Sequence, residues 1–599
     1  YIVQDGDTYI LKFKYDPNLI VLLKNVPGRQ WNSQSKYWTI PKNHLGWFLN
    51  QIKGTEYENT VSIHSEEYIN ENASLDFTNA IPDVDISDMI QYVKFGSQLY
   101  KHQIDFLKYA KSRAGKGFIL ADEMGCGKTL EVLNYAMYMK KAFGYKHCLI
   151  ICCVNSAKFS WQEDIYTHTN GEEQGYILGT RRKRNGGLKY NTSGNDKVKD
   201  LQTGHMYGDN SESKLPYFLI TNIESLRTKE GKKYALAEKI ISMAEHNELQ
   251  MIPIDEVHKN MSPKSTQGKL ILKIKNKTGN LIEWIPMTGT PIVNKPTDLF
   301  TPLRLVNGHT IKSYWQWQQQ FCIFGGYGGH EIMAYKNIPI LKEILQKNML
   351  RRLKKDVLDL PPKIYYTEYV ENTPVQQKLY YDVQKDMLEK ESVILESMNP
   401  LTEMLRLRQV NSSPELIDSS IKIDNEYLNK NAKLVRLLEL VNEIVERGEK
   451  AVIFSNWIET LKPVYKFLSA RYKVTCFTGS MSEGDRQKHK RVFINNPNYK
   501  VMLGTIGALG VNHTLTAANN VIFYDEPWTP ADKIQAEDRC HRIGTAVPIN
   551  IYTLLSKGTI DETVHKIVYD KKNISDFIVD GKLDIRKNPE LFEKLIGKE

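Results

Sequence analysis

No apolar run in this chain is long enough to cross a bilayer. The longest, such as Leu149-Ile-Ile-Cys-Cys-Val154, fall far short of the roughly 20 residues that a spanning helix needs. The first residues, Tyr1-Ile-Val-Gln-Asp-Gly-Asp7, carry neither a basic n-region nor an apolar signal core. They also open without Met, from which a trimmed or missing start is expected. Cysteine is scarce and odd in number, seven in all, mostly inside strand-like segments (Cys148, Cys152, Cys153, Cys476). No CxxC pair or Cys/His ligand spacing occurs, which argues against zinc. Free thiols imply a reducing interior: cytoplasm or nucleoid, or the nucleus in a eukaryote. Neither sign of charge dominates. Against 80 Lys and Arg stand 70 Asp and Glu, a net charge of +10 that permits a polyanionic partner without requiring one.

What the chain does have is length for several domains, 599 residues, and one stretch that organises the rest: Leu120-Ala-Asp-Glu-Met-Gly-Cys-Gly-Lys-Thr129. The apolar run 117–121 predicts a buried strand. A glycine-broken turn follows, then a helix with Leu130, Leu133 and Met137 at spacings of three and four. Strand, Gly-rich turn, Lys-Thr and helix make a phosphate cradle. Gly125 and Gly127 leave no side chain between backbone N–H groups and an anion, and the helix N-terminus favours negative charge. Lys128 is then expected to reach the β- and γ-phosphates of a nucleotide, and the Thr129 hydroxyl to hold Mg²⁺. Asp122 stands where the first glycine of the generic pattern falls.

Residues 1–55 read as a small αβ module. Thr8–Phe13 alternates like a strand, Asp16 caps a helix that has Pro17 at its first position, Lys36–Pro41 forms a second strand, and 43–52 fits a helix. Trp31, Trp38 and Trp47 are expected to form its core. The alternative is an exposed aromatic surface ringed by Arg29, Lys36, Tyr37 and Lys42 that binds nucleic acid. Residues 56–90 are acidic and linker-like. From 91 to 310, strands at 117–121, 148–154, 217–221, 249–254 and 282–288 alternate with helices, the sign of a parallel α/β sheet. Pro253 removes a ladder donor and leaves that strand's register open. The Gly/Asn/Ser-rich stretch 170–214, with Arg181-Arg-Lys-Arg184, is expected to be a mobile surface loop. Residues 311–430 read as mostly helical, with a basic segment at Arg351-Arg-Leu-Lys-Lys355. A second α/β series, 431–565, has strands at 450–455, 474–478, 501–505, 520–524 and 549–554, and a charged tail follows from 566.

Ile254-Asp-Glu-Val-His258 ends the fourth strand of the first series. A strand-terminal carboxylate downstream of a phosphate loop is the expected second Mg²⁺ anchor, here Asp255. Glu256 would polarise the attacking water and His258 would relay to the rest of the lobe. In the second series, Gln535-Ala-Glu-Asp-Arg-Cys-His-Arg-Ile-Gly544, if helical, puts Gln535, Arg539 and Arg542 on one face. Arginines brought across a cleft stabilise a transferring phosphoryl group by about 10³–10⁵ in rate, roughly 4–7 kcal/mol of barrier. The plainer alternative is a surface helix salt-bridged through Glu537 and Asp538.

Taken in order, these and further motifs resemble superfamily 2 helicases of the Swi/Snf-type double-stranded-DNA translocase group. Tyr100-Lys-His-Gln103 is similar to the segment whose glutamine reads adenine. Asp122–Thr129 is similar to that group's phosphate loop, with Cys126 where Leu is usual. Trp161-Gln-Glu163 and Thr221-Asn-Ile-Glu224 resemble its DNA-tracking motifs, Asp255–Asn260 departs only at Val257, and Met287–Asn294 resembles the motif coupling hydrolysis to lobe movement. Leu350–Val357 with Leu360–Lys363, and Leu407–Asn411 with Pro414, match the inserted helical region. Ile453–Asn456, Phe477–Ser480 with Arg486, Ala508–Asn512 and Gln535–Gly544 match the second lobe. Pro17–Leu23 and Pro27–Pro41 resemble the HARP module of annealing helicases.

The resemblance implies two RecA-like lobes in an α/β fold, ATP and Mg²⁺ as cofactors, and DNA-dependent ATP hydrolysis. The cofactor site would comprise Gln103, Gly125, Cys126, Gly127, Lys128, Thr129, Asp255 and Gly510, with Glu256, Arg539, Arg542 and Lys128 catalytic. Contacts to DNA would come from Arg29, Trp38, Trp161, Thr221, Thr288, Ser455 and Thr505, since phosphate contacts position without reading sequence. Expected partners are double-stranded and forked DNA, with a single-strand-binding or replication protein. The expected outcome is fork remodelling or strand annealing. A protein-displacing remodeller and a non-catalytic DNA-binding adaptor are the rival readings.

Overall fold

The computed structural model describes residues 81–90, 99–190, 193–208, 213–257, 262–289, 297–325, 331–389, 400–479, 481, 483–509, 515–528 and 530–569, with segments of 2–48 and the pairs 63–64, 578–579 and 582–583 besides. His258, Gly510, Lys36, Lys42 and Trp47 lie outside the described residues. Among these described residues no helix is long and apolar enough to cross a membrane.

Two parallel sheets dominate. The first runs, in spatial order, Glu283–Pro286, Met251–Asp255, Cys148–Cys152, Phe218–Asn222, Gly175–Ile177. The phosphate-loop strand, Ile119–Leu120, continues it beyond Pro286: Leu120 bridges Met287 in parallel, and Met349–Leu350 pairs on its other side. Alternate residues serve two cores. Leu149 and Ile151 join one, while Cys148, Ile150 and Cys152 join the other. Burial on both faces is why these strands read as unbroken apolar runs. Pro253 sits inside the ladder opposite Ile285, and the register to Cys148–Cys152 runs through Met251, Ile254 and Asp255.

The second sheet has six parallel strands in the order Lys363–Val370, Ile549–Ser556, Asn520–Phe523, Ala451–Ser455, Tyr499–Thr505, Lys473–Phe477. Its first strand comes from the region expected to be mostly helical. Lys363–Val370 is an edge strand whose Ile364, Tyr365, Tyr366 and Tyr369 are exposed, so it lacks the buried-strand signature. That region also holds the helices Tyr314–Phe321, Ile338–Asn348, Pro374–Glu389 and Pro400–Ser412, with a hairpin of Cys322–Gly325 and Glu331–Tyr335 between the first two. The link between the two sheets is therefore short, residues 351–362.

The stretch 170–214 is built rather than a bare loop. It contributes the strand Gly175–Ile177, a small hairpin of Arg181–Arg182 with Leu188–Lys189, and the helix Gly194–Thr203. Its polar residues are caps and turns: Ser193 accepts from the Asp196 N–H, and Arg181 turns inward to Asp200 at 2.7 Å. Composition suggested looseness because cap residues and linker residues are the same types.

The N-terminal module is a sheet in the order Gln30–Asn32, Tyr37–Pro41, Thr8–Leu11, Ile2–Asp5, Ile63–His64, with the helix Pro17–Lys24. The Leu19 N–H donates to Asp16 Oδ1 at 3.1 Å, so the expected cap forms. The expected tryptophan core does not. Leu11, Leu23, Val26, Ile40 and Phe48 fill the interior, and Trp38 packs at their margin. Trp31, paired with Trp38 across the edge strands, is 49% exposed.

Candidate active site

The phosphate loop hangs between a buried strand and the helix Lys128–Phe143. Every residue of that helix from Glu131 to Met139 is buried, so packing on all sides holds the loop rather than one amphipathic stripe. Gly125 and Gly127 take φ of 87° and 93°, left-handed values that favour glycine. A Cβ on Gly127 would stand 2.9 Å from Gln103 Nε2, so the glutamine expected to read adenine lies directly over the loop. Lys128 Nζ donates to the carbonyls of Asp122 at 2.8 Å and Glu123 at 3.3 Å. Cys126 is different: its thiol is fully buried and pushed up to about 12 by burial, so only its backbone is available to a ligand.

Asp122 faces inward. Arg352 holds it through Nε at 3.0–3.1 Å and through Nη2, which also donates to Glu131 at 2.7 Å. The carboxylate in the unusual loop position is thus an internal tie and not a ligand group.

Asp255 ends its strand and Glu256 follows in the left-handed region, φ 54°. Non-glycine residues there cost of order 1 kcal/mol or more and gather at functional sites. Burial, then the neighbouring Glu256, pushes Asp255 up to about 6, against a hydrogen bond of 3.1 Å donated by the Trp161 indole. Half-buried Asp255 lies beside buried Glu256, with the Lys128 and Arg539 cations near enough to favour its charge. Among the described residues no group of three or more His, Cys, Asp or Glu could hold a metal alone. Asp255 and Thr129, the residues expected to hold Mg²⁺, line one cleft.

The second lobe closes the site. A cleft of about 480 Å³ is lined by Gln103, Gly125, Lys128, Thr129, Asp255 and Glu256 from the first lobe and by Lys490, Arg542 and Ile543 from the second. That size is usual for a small-molecule site. Arg539 is fully buried; burial and then Arg542 lower its pKa, while Glu256, Asp538 and Asp255 hold it up. Neither arginine is helical, however. The helix Pro530–Glu537 stops two residues before Arg539. Beyond it the carbonyls are taken elsewhere: that of Arg539 by the Leu515 N–H, of Cys540 by Thr545 Oγ1 and of His541 by Lys354 Nζ. The shared face expected of Gln535, Arg539 and Arg542 is replaced by turns that bring both guanidinium groups to the first lobe.

The expected DNA contacts fare unevenly. Trp161, Thr221, Thr288, Ser455 and Thr505 are all buried. Trp161 serves Asp255, and Ser455 Oγ donates to Asp525. Trp161 lies within the helix Ala157–His168 and lines the cleft, while Thr221, Ser455 and Thr505 lie at or near the ends of buried strands. Arg29 is exposed and Trp38 half-buried. The sequence did not single out Asp164, His168 and Lys490, which line the cleft from the helices Ala157–His168 and Glu483–Asn495 and carry no local signature.

A family model described as the SNF2-related domain matches residues 93–416, and one described as the helicase conserved C-terminal domain matches 429–544. An uncharacterized ATP-dependent helicase of Mycoplasma pneumoniae is 28% identical over 466 residues, covering 76% of this chain and 40% of that protein. The DNA annealing helicase and endonuclease ZRANB3 of Bos taurus is 23% identical over 503 residues, 82% of this chain and 41% of its own. The chain spans about half the length of the curated relatives it matches, 48%, 40% and 63% for three of them. The Sulfolobus solfataricus SWI2/SNF2 ATPase core in complex with dsDNA is 24% identical, covering 84% of this chain and 98% of that one with a TM-score of 0.35. At that score the likeness carries no weight, and the fold rests on the strand orders above.

Proposed function

Since this chain belongs to the SNF2-related domain family, we propose that it is a DNA-dependent ATPase that tracks along duplex DNA. The observation that carries this reading is one cleft lined by Lys128 from the first lobe and Arg542 from the second. Lys128 and the N–H groups of the glycine loop hold phosphate, and Gln103, which lies over the loop, takes the base. Mg²⁺, when bound by Thr129 and Asp255, neutralises charge on the phosphoryl oxygens. Glu256 orients the attacking water and accepts its proton. Arg539 and Arg542 stabilise the charge that spreads over the transferring group, an effect of about 10³–10⁵ in rate. They reach the site only when the lobes meet, so hydrolysis is tied to lobe movement and, through it, to DNA.

The finer reading is remodelling or annealing of forked DNA. Trp31 and Trp38, 5.2 Å apart and tilted by 48°, with exposed Arg29 beside them, offer an aromatic and basic face. Base stacking on such a face contributes about 1–3 kcal/mol per base. The bovine relative named as an annealing helicase supports the same direction.

ATP hydrolysis with duplex, single-stranded and forked DNA tests both levels. Lys128→Ala and Glu256→Gln are expected to abolish DNA-stimulated turnover with the circular dichroism spectrum unchanged, and wild-type turnover in either sinks the ATPase reading. Trp31→Ala is expected to erase any preference for forks over plain duplex; a preference that survives confines this module to a structural role.

A further inference from the structure

The short link between the lobes runs over the active site, and one side chain in it touches both halves. Met349–Leu350 ends the first sheet and Lys363 begins the second. Between them Arg352 is anchored to the first lobe at Asp122, Glu131 and the His102 carbonyl. Two residues on, the Lys354 N–H donates to Glu123 Oε2 of the phosphate loop at 2.7 Å. Its Nζ reaches the second lobe, 2.9 Å from Asp538 Oδ1 and 3.1 Å from the His541 carbonyl. Asp538 and His541 flank Arg539 and precede Arg542 in sequence. A Cβ on Gly125 would meet Lys354 Cε and Arg542 Cγ, each at 3.3 Å. The lysine stem and the arginine stem therefore pack on the same glycine of the phosphate loop.

We propose that Lys354 is a positioning residue for hydrolysis: it sets the Arg539–Arg542 turn against the phosphate loop and so transmits the angle between the lobes to the arginines. This rests on the reading of the cleft as an ATPase site. A buried lysine is costly unless its charge is met, and Lys354 is 7% exposed with Asp538 as its ionic partner. Lys363 binds the same carboxylate oxygen at 2.8 Å but lies at the start of the second sheet, away from the loop. Lys354 is thus the member of the pair that spans the cleft. Because Arg542 Nε is itself held by the Asp538 carbonyl at 2.9 Å, a shift of residue 538 carries the guanidinium with it.

The test is steady-state ATP hydrolysis by the full chain at saturating duplex DNA, with nucleotide affinity measured separately by a fluorescent ATP analogue. Lys354→Met is expected to lower kcat about 100-fold, as a displacement near 1 Å does. The KM for ATP and the analogue affinity should move by less than about threefold, because ground-state binding by Lys128 is untouched. Lys354→Arg should recover part of the loss. Combined with Arg542→Ala, Lys354→Met should add less than its loss in the wild-type background, since it acts through Arg542 and, in that variant, through Arg539 alone. An unchanged kcat in Lys354→Met, affinity falling in step with kcat, or losses that multiply in the double variant would overturn the inference. Should Lys354→Met not fold, Lys354→Gln is read by the same criteria. A wild-type chain without DNA-stimulated hydrolysis defeats the ATPase reading itself, whereas an active wild type matched by Lys354→Met defeats only this role.

Discussion

Asp255 is asked to be an anion in a place that disfavours one. Burial and Glu256 raise it, and the Trp161 N–H opposes them. On the proposed role of Asp255 as a Mg²⁺ ligand, which needs the deprotonated carboxylate, Mg·ATP affinity is expected to hold above about pH 6 and to fall about tenfold per unit below it. Trp161→Phe keeps the ring and removes the donor, which moves that inflection upward. Nucleotide titrations between pH 5 and 8 would show it, and an inflection that stays put in the variant would remove the indole from this role. Glu256 makes the same point in its backbone: its left-handed φ of 54° is invisible in the letters Asp-Glu. The residue types were legible from sequence, but their ionisation and aim were not, because both depend on what lies around them.

At the scale of elements, the phosphate-loop helix is tied to the sheet by a buried carboxyl. Glu283 opens the strand Glu283–Pro286 and accepts from Tyr135 of the helix at 2.7 Å and from Tyr145 just beyond it at 3.4 Å. Burial pushes Glu283 up to about 7, with the tyrosine hydroxyls opposing. A carboxyl raised in the folded state binds its proton more tightly there than in the unfolded chain. Its contribution to stability is therefore complete below pH 4.5 and is lost as the pH rises through about 7. In urea melts the wild type should lose stability across that window, by at most about 1.4 kcal/mol per pH unit from this source. Glu283→Gln should flatten the slope; an equal slope in the variant assigns it to other groups. Helix periodicity predicted the element containing Tyr135 but not that every face of its middle is covered. The opposite error occurred at Arg539 and Arg542, where a helical spacing persists in sequence after tertiary hydrogen bonds have ended the helix.

Across the whole molecule the lobes meet at the cleft and the link with Lys354, and also where Glu163 joins the helix Ala157–His168 to the helix Glu483–Asn495, 3.5 Å from Lys490 and 3.4 Å from Arg491. Glu163 is 38% exposed, so each pair contributes about 0–1 kcal/mol and is weakened by salt. Such a contact suits a joint that must open and close repeatedly. Glu163→Lys should shift the lobes toward separation, read as a lower energy-transfer efficiency between dyes on the two lobes, and should erase its salt dependence between 50 and 500 mM. Efficiency equal to wild type at low salt would show that the latch does not hold the lobes.

The sequence by itself determined the chemistry on offer and the order of the parts. Glycine spacing, Lys-Thr, the strand-terminal acids and the alternation of apolar runs with helices are local patterns, and local stereochemistry reads them directly. It did not reveal the edge strand Lys363–Val370, since an exposed edge carries no buried-strand pattern. Nor did it reveal that Trp161 faces Asp255, that Arg352 neutralises Asp122, or that Lys354 joins the phosphate loop to the arginine turn. Those pairings link residues 94, 230 and 184 positions apart; folding within the first lobe selects the first two, and the meeting of the lobes selects the third.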